Sequence, residues 1–316
     1  MLNGNSNIFI FGARGMVGRN IIDIFIKKKI KNINFDQNRK DLKDPKNVNF
    51  FLDKYKPHIV ILAAAKVGGI LENNKYPYEF LLDNLKIQNN IIEASKNRGI
   101  KKFLFLGSSC VYPKIDRKIK ENDLLKSSLE NTNQWYALAK ISGLKLCEAI
   151  NIQFDYDYRC IMPTNLFGEN DNYKGEYAHV IPALIEKFDL AKKKNFKAVN
   201  IWGSGKAKRE FLYVRDLSEI IHKILKTPKK KYQKITGKSG LLNIGSGEEM
   251  TIKELAVIIK KIVGFNGHLI FENKKLEGVK RKFLDTKKLN SLIKYSLTPF
   301  DVAIKNSYMD FLKNNN

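Results

Sequence analysis

Only three cysteines occur in these 316 residues, Cys110, Cys147 and Cys160. They are too few and too scattered for a disulfide framework, which agrees with a reducing compartment. No run of 18 or more apolar residues is present, so no segment reads as a membrane-spanning helix, and the first residues lack the charged lead and apolar core of a secretion signal. The expectation is a soluble, cytoplasmic protein with no membrane partner. No internal repeat is visible.

Acidic residues are scarce as well: 32 Asp and Glu stand against 57 Lys and Arg, a formal net charge of +25. That balance raises nucleic acid as a partner. The lysines, however, are spread through nearly every segment and cluster only at 27–29, 192–194 and 229–231. No nucleic-acid role is expected, although a positive field would still draw in anionic nucleotides.

What is present is the material of a large core. At 36.4 kDa with 43% hydrophobic residues, the chain is long enough for two lobes. Apolar strand signals recur at NIFIF, INF, HIVILAAA, KFLFLGSS and YRCIMPTN, with helical patterns between them, over 78–97 and around Tyr136. Alternating apolar strands and helices argue an α/β fold with a doubly wound parallel sheet. We assign residues 1–168 to this nucleotide-binding domain, with about 212–246 returning to it through the apolar run LLNIGSG. Residues 169–211 and about 247–316 are assigned to a smaller C-terminal substrate-binding domain. Within them a helix is expected over 181–194 and a loop over 201–216; the charged segment 228–240 reads as a mobile loop.

The first apolar strand runs into Gly12, Ala13, Arg14, Gly15, Met16, Val17 and Gly18, followed by an amphipathic stretch. A glycine triplet between a strand and a helix is the context of a dinucleotide-binding turn. Gly12 makes the tight turn, Gly15 lets backbone approach a pyrophosphate, and Gly18 permits close helix packing. Asp36, about 20 positions on, is placed to hold a ribose 2′-hydroxyl, which favours NAD. Arg14 and Arg39 could instead grip a 2′-phosphate, and Arg14 lies in the loop that must face the cofactor, so NADP(H) is preferred.

Tyr136 and Lys140 stand four apart in WYALAK and leave the same helix face. An ammonium near a phenol favours the phenolate, so Lys140 is expected to lower the Tyr136 pKa. Ser108, in GSSCVYPK at the carboxyl edge of a strand, can donate to a substrate carbonyl oxygen.

Glycine loop, serine and the Tyr136/Lys140 pair together resemble the extended form of the short-chain dehydrogenase/reductase superfamily. The blocks LAAAKVGGI, FLGSSCVYPK, MPTNLFG, AHVIPAL, WGSG with REFLYV, and NIGSG narrow this to a resemblance to the GDP-L-fucose synthase family over nearly the whole chain. The resemblance implies a two-part reaction on a GDP-4-keto-6-deoxy sugar. Cys110 and His179 match the residues that invert C3 and C5. Tyr136, Lys140 and Ser108 match those that serve hydride transfer to C4. It further implies that Ala64, Leu106, Gly107, Pro163, Thr164, Asn165, Leu166 and His179 line the cofactor, and that Ser108, Asn165, Lys187, Trp202, Arg209 and Glu277 meet the GDP-sugar. No metal ligand set is read. Departures from the family pattern are Lys187 for arginine, Glu277 for aspartate, Trp135 before the tyrosine, and the approach to His179. They leave a GDP-4-keto heptose as an alternative substrate, with epimerisation done by another enzyme, and a silent nucleotide-sugar or nucleic-acid binder as a remote one. A homodimer through a four-helix seam is expected from the apolar faces of the 78–97 and Tyr136 helices together with the resemblance.

Overall fold

The computed structural model describes residues 2, 5–36, 40–173, 178–272 and 280–315. Short apolar runs become strands because both of their faces can be covered. Along the chain come β1 (Ile8–Phe11), α1 (Met16–Lys27), β2 (Ile33–Phe35), α2 (Pro45–Tyr55), β3 (Ile59–Leu62), α3 (Ile70–Lys75), α4 (Pro77–Asn97), β4 (Lys102–Leu106), α5 (Gln134–Phe154) and β5 (Asp157–Pro163). There follow β6 (Asn165–Phe167), α6 (Val180–Lys193), β7 (Ala198–Trp202), β8 (Lys208–Tyr213), α7 (Val214–Lys226), α8 (Lys229–Thr236) and β9 (Leu241–Ile244). The last part holds β10 (Glu249–Thr251), α9 (Ile252–Val263), β11 (His268–Glu272), β12 (Arg281–Lys282), α10 (Lys287–Leu292) and α11 (Phe300–Asn315). Local chemistry starts several helices. The Asp44 carboxylate accepts from Lys46 N at 2.9 Å ahead of Pro45 in α2. Thr251 and Glu254 form a reciprocal capping box on α9.

Six strands form one parallel sheet in the order β2-β1-β3-β4-β5-β9. Because strand side chains alternate, Phe9 and Phe11 enter a core on one face with Phe51, Ile91, Phe103 and Leu144, while Ile8 and Ile10 enter a core on the other with Phe25, Ile61, Leu217 and Ile221. Leu289 and Leu292 of α10 join this second core from far down the chain. A third core gathers α6, α9 and α11 around Phe188, Ile259 and Ile304. No helix among the described residues is long and apolar enough to cross a membrane.

Two expectations need correction. Residues 228–240 are not a loop: they carry α8, in which Tyr232 is fully buried, donates to Gly240 O at 2.9 Å and lies 4.4 Å from the Arg159 guanidinium. The lysines there are the exposed side of a helix whose other side, Tyr232 and Thr236, spaced i and i+4, packs inward. Residues 201–216 are likewise not a loop. They contain the end of β7, all of β8 and the start of α7, and β8 pairs with β6, β10 and β12.

Candidate active site

The residues singled out for the nucleotide converge on the carboxyl edge of the sheet, where β1 and β3 lie side by side and the strand order reverses. Gly12 follows β1 at φ +91, a left-handed conformation costly for any residue with a Cβ, and a Cβ there would lie 2.4 Å from Ala64 N. Gly18 cannot carry one either, since it would meet the Gly12 carbonyl oxygen at 2.2 Å. Gly15 caps α1 with no side-chain bond, and the first turn has no acidic residue. The N–H groups of that turn therefore point outward and suit an anion. Beside them a cavity of about 420 Å³ is lined by Arg14, Arg19, Phe35, Asp36 and Asn170. Arg19, which donates to Asn170 Oδ1 at 3.1 Å, is a cation that the spacing rules passed over.

Asp36 behaves differently from the expectation. Its carboxylate accepts from Gly12 N (3.1 Å) and Ala13 N (3.0 Å), so the side chain braces the loop from below, and burial raises its pKa. An oxygen engaged with its own loop is a poor partner for a ribose hydroxyl. Arg39, the second proposed phosphate ligand, lies outside the described residues.

The reactive groups meet above β4. Ser108, half-buried, accepts from Cys110 N at 3.2 Å and so fixes the turn that presents the thiol. Cys110 is partly accessible, whereas Cys147 and Cys160 are buried. Tyr136 and Lys140 do share one face of α5, with the Lys140 ammonium 5.8 Å from the Tyr136 ring. Lys140 is 3% exposed and donates to Leu106 O at 2.8 Å. Burial pushes its ammonium down to about 7. The expected lowering of the Tyr136 pKa is not found. Burial pushes the phenol up, the nearby Cys110 pushes the same way, and Lys140 spends its hydrogen bond on a carbonyl. A phenol so held keeps its proton, which is what a proton donor needs until charge develops on its acceptor.

Pro163 ends β5, Thr164 follows it and Asn165 opens β6; Thr164 Oγ1 and Asn165 Nδ2 both donate to Glu210 O, at 3.0 and 2.9 Å. Leu166 is partly buried beside them, and Gly107 N donates to Ile161 O at 2.9 Å. Sequence patterns missed Glu210. It is fully buried; its carboxylate accepts from Gly247 N and Leu284 N, after β9 and β12, while its backbone oxygen takes the bonds from Thr164 and Asn165 at the start of β6. Its sequence signal is an acidic residue in an otherwise apolar strand, within the block REFLYV.

His179 caps α6 without a side-chain bond. Its residue surface is accessible, yet the protein around the ring still lowers its pKa by desolvation. Accessible area and desolvation coexist where a side chain lines a concave wall. Lys187 and Trp202 form a pair with the ammonium 5.8 Å from the indole, and Trp202 is 41% exposed. Arg209 sits on β8 next to Glu210 and donates to Lys208 O at 2.8 Å. Glu277 lies outside the described residues.

Residues 8–245 match the model of the NAD dependent epimerase/dehydratase family. The chain is 43% identical over 318 residues to GDP-L-fucose synthase 1 of Arabidopsis thaliana, covering 99% of this chain and 95% of that one. It is 40% identical to the GDP-L-fucose synthase of Escherichia coli K12, covering 97% of each. Among solved structures, the GDP-mannoheptose C4 reductase of Campylobacter jejuni with NADP bound superposes with a TM-score of 0.88 at 31% identity, over 99% of this chain and all of that one.

Proposed function

The chain belongs to the NAD dependent epimerase/dehydratase family and, within it, to the GDP-L-fucose synthase group, and from that premise we propose that it reduces C4 of a GDP-4-keto-6-deoxy sugar with NADPH after inverting C3 and C5. The observation that carries the reading is the grouping of Ser108, Cys110, Tyr136 and Lys140 at the carboxyl edge of β4, beside an uncapped glycine turn.

The residues fit a dinucleotide. Gly15 leaves open space where a Cβ would reach no atom closer than 3.6 Å, and Arg14 lines the adjoining cavity. Arg14 and Arg19 are the cations there for a 2′-phosphate. NADPH, when bound, supplies the hydride for C4. The protein's part is acid–base and positional. The 4-keto group acidifies the protons at C3 and C5, so Cys110 as base and His179 as acid can exchange them on opposite faces. Ser108 holds the carbonyl oxygen, Tyr136 gives its proton to the oxygen at C4, and Lys140 holds the nicotinamide ribose. Lys187, Trp202 and Arg209 offer two cations and a flat apolar surface for the GDP portion.

A second reading replaces the deoxyhexose with a heptose, as the name of the Campylobacter jejuni neighbour suggests. Trp135, 37% exposed directly before Tyr136, is the residue placed to alter the sugar's fit. A panel of GDP-4-keto hexoses and heptoses with NADPH separates the two by which sugar is turned over. Tyr136→Phe should abolish reduction of the favoured sugar and leave NADPH binding intact; near-normal turnover would remove Tyr136 from its role. We further propose that the enzyme works in the cytoplasm as a homodimer. Leu138 and Tyr78, 42% and 70% exposed on the packed pair α4 and α5, are the apolar surface for a four-helix seam.

A further inference from the structure

Cys110 faces a cation that arrives from the far end of the chain. The Lys282 Nζ lies 3.9 Å from Cys110 Sγ and 3.9 Å from Glu130 Oε2. The lysine and glutamate side chains are only 8% and 7% exposed. A buried ammonium is costly unless well paired. The ammonium lies 3.9 Å from each, so it faces carboxylate and sulfur together. The position is built, not incidental. β12 is registered against β8 with Lys282 opposite Arg209. Ile119 N donates to Phe283 O at 2.8 Å, Asp285 N donates to Ile119 O at 2.8 Å, and Leu284 N donates to the buried Glu210 carboxylate at 3.0 Å. Of the described residues nearby, Ser108 accepts through its hydroxyl from Cys110 N, and the Tyr136 phenol is close enough for Cys110 to push its pKa up.

We propose that Lys282 is the positioning residue of the inverting half of the site: its ammonium faces the Cys110 sulfur and stabilises the negative charge the sulfur must carry to act as base, and Glu130 competes with the sulfur for that ammonium. This rests on the reading of Cys110 as base. In each exchange the thiolate takes the proton from C3 or C5 and the C–H electron pair moves into the enolate. His179 then returns a proton to carbon from the opposite face. Cys110 loses its proton to solvent and His179 regains one, while Lys282 stays an ammonium throughout. Lys282 touches neither carbon, so it acts only through the sulfur.

The test uses the full-length folded protein, iodoacetamide and no sugar, so it stands apart from the choice of substrate. Cys147 and Cys160 are fully buried, and the label therefore reports Cys110, confirmed by peptide mass. The readout is the alkylation rate at neutral pH divided by the rate at strongly alkaline pH, which cancels differences in access. Lys282→Met should lower this ratio about tenfold or more, and Lys282→Arg should restore most of it. Glu130→Gln should raise it, and the rise should vanish when Lys282 is also Met. A ratio within about twofold of the parent in folded Lys282→Met overturns the proposal, as does a Glu130→Gln rise of equal size with and without Lys282. Should Lys282→Met not fold, Glu130→Gln decides: an unchanged or lowered ratio overturns the proposal, and a raised one supports it.

Discussion

The glycine turn allows fold and cofactor binding to be separated by single methyl groups. A methyl at Gly18 would stand 2.2 Å from the Gly12 carbonyl oxygen and 2.8 Å from Ala13 Cα. Carbon and oxygen rest at about 3.3 Å or more, so α1 and the turn must part by about 1 Å. Overpacking of that kind costs about 1–3 kcal/mol. In a chain of 316 residues that is a fall in Tm of about 1.5–4.5 °C. The same displacement in a binding loop costs about a hundredfold in function. A methyl at Gly15 meets nothing closer than 3.6 Å, and its φ of −78 is open to any residue. Gly15→Ala should therefore melt within about 1 °C of the parent, as a surface change does. Its methyl nevertheless occupies the approach to the pyrophosphate, so NADPH affinity should fall by about tenfold or more. Thermal melts and NADPH fluorescence titrations on the two variants decide the matter. Gly15→Ala binding NADPH as tightly as the parent would refute the placement of the cofactor. Gly18→Ala with an unchanged melt would refute the steric argument.

Two further consequences concern buried groups. Burial holds Lys140 at about 7, so at pH 8 it is mostly neutral, and an anionic dinucleotide bound nearby should draw a proton onto it. Calorimetry at pH 8 in buffers of different ionisation enthalpy should show net proton uptake on NADPH binding; identical heats in all buffers would contradict this. In the unfolded chain Lys140 titrates near about 10.4, above its folded value, so between about 7 and that pH the unfolded state binds more protons and this group's contribution to stability rises with pH. The stability advantage of Lys140→Met over the parent should accordingly shrink from pH 7 to pH 10 in denaturation curves. For α8, Tyr232→Phe should cost about 1 kcal/mol for the hydrogen bond to Gly240 O, and Tyr232→Ala about 3–5 kcal/mol for the buried ring. Unchanged denaturant midpoints would mean the segment is not packed as described.

The glycine turn, the parallel strands and the Tyr136 helix were legible because each follows a local rule: period, turn chemistry or i,i+4 spacing. What escaped depends on neighbours distant in sequence. The lysines at 229–231 read as a loop because composition cannot show that Tyr232 packs against Arg159. Asp36 was assigned to a ribose because spacing cannot show that its oxygens already hold Gly12 N and Ala13 N. Lys140 was expected to lower the tyrosine pKa, yet burial and the Leu106 carbonyl outweigh that influence. Lys282 carries no motif, and Glu210, although inside the block REFLYV, has no role that the block alone discloses. Their importance comes from where β12 and β8 deliver them.

The central claim is that one site both inverts and reduces. The direct measurement is incubation with GDP-4-keto-6-deoxymannose and NADPH in heavy water, with the product examined by NMR. The expected product is GDP-L-fucose carrying deuterium at C3 and C5 and protium at C4. A C4-reduced product without solvent deuterium would contradict the inverting role of Cys110 and His179, and no reduction of this sugar beside turnover of a heptose would contradict the deoxyhexose assignment.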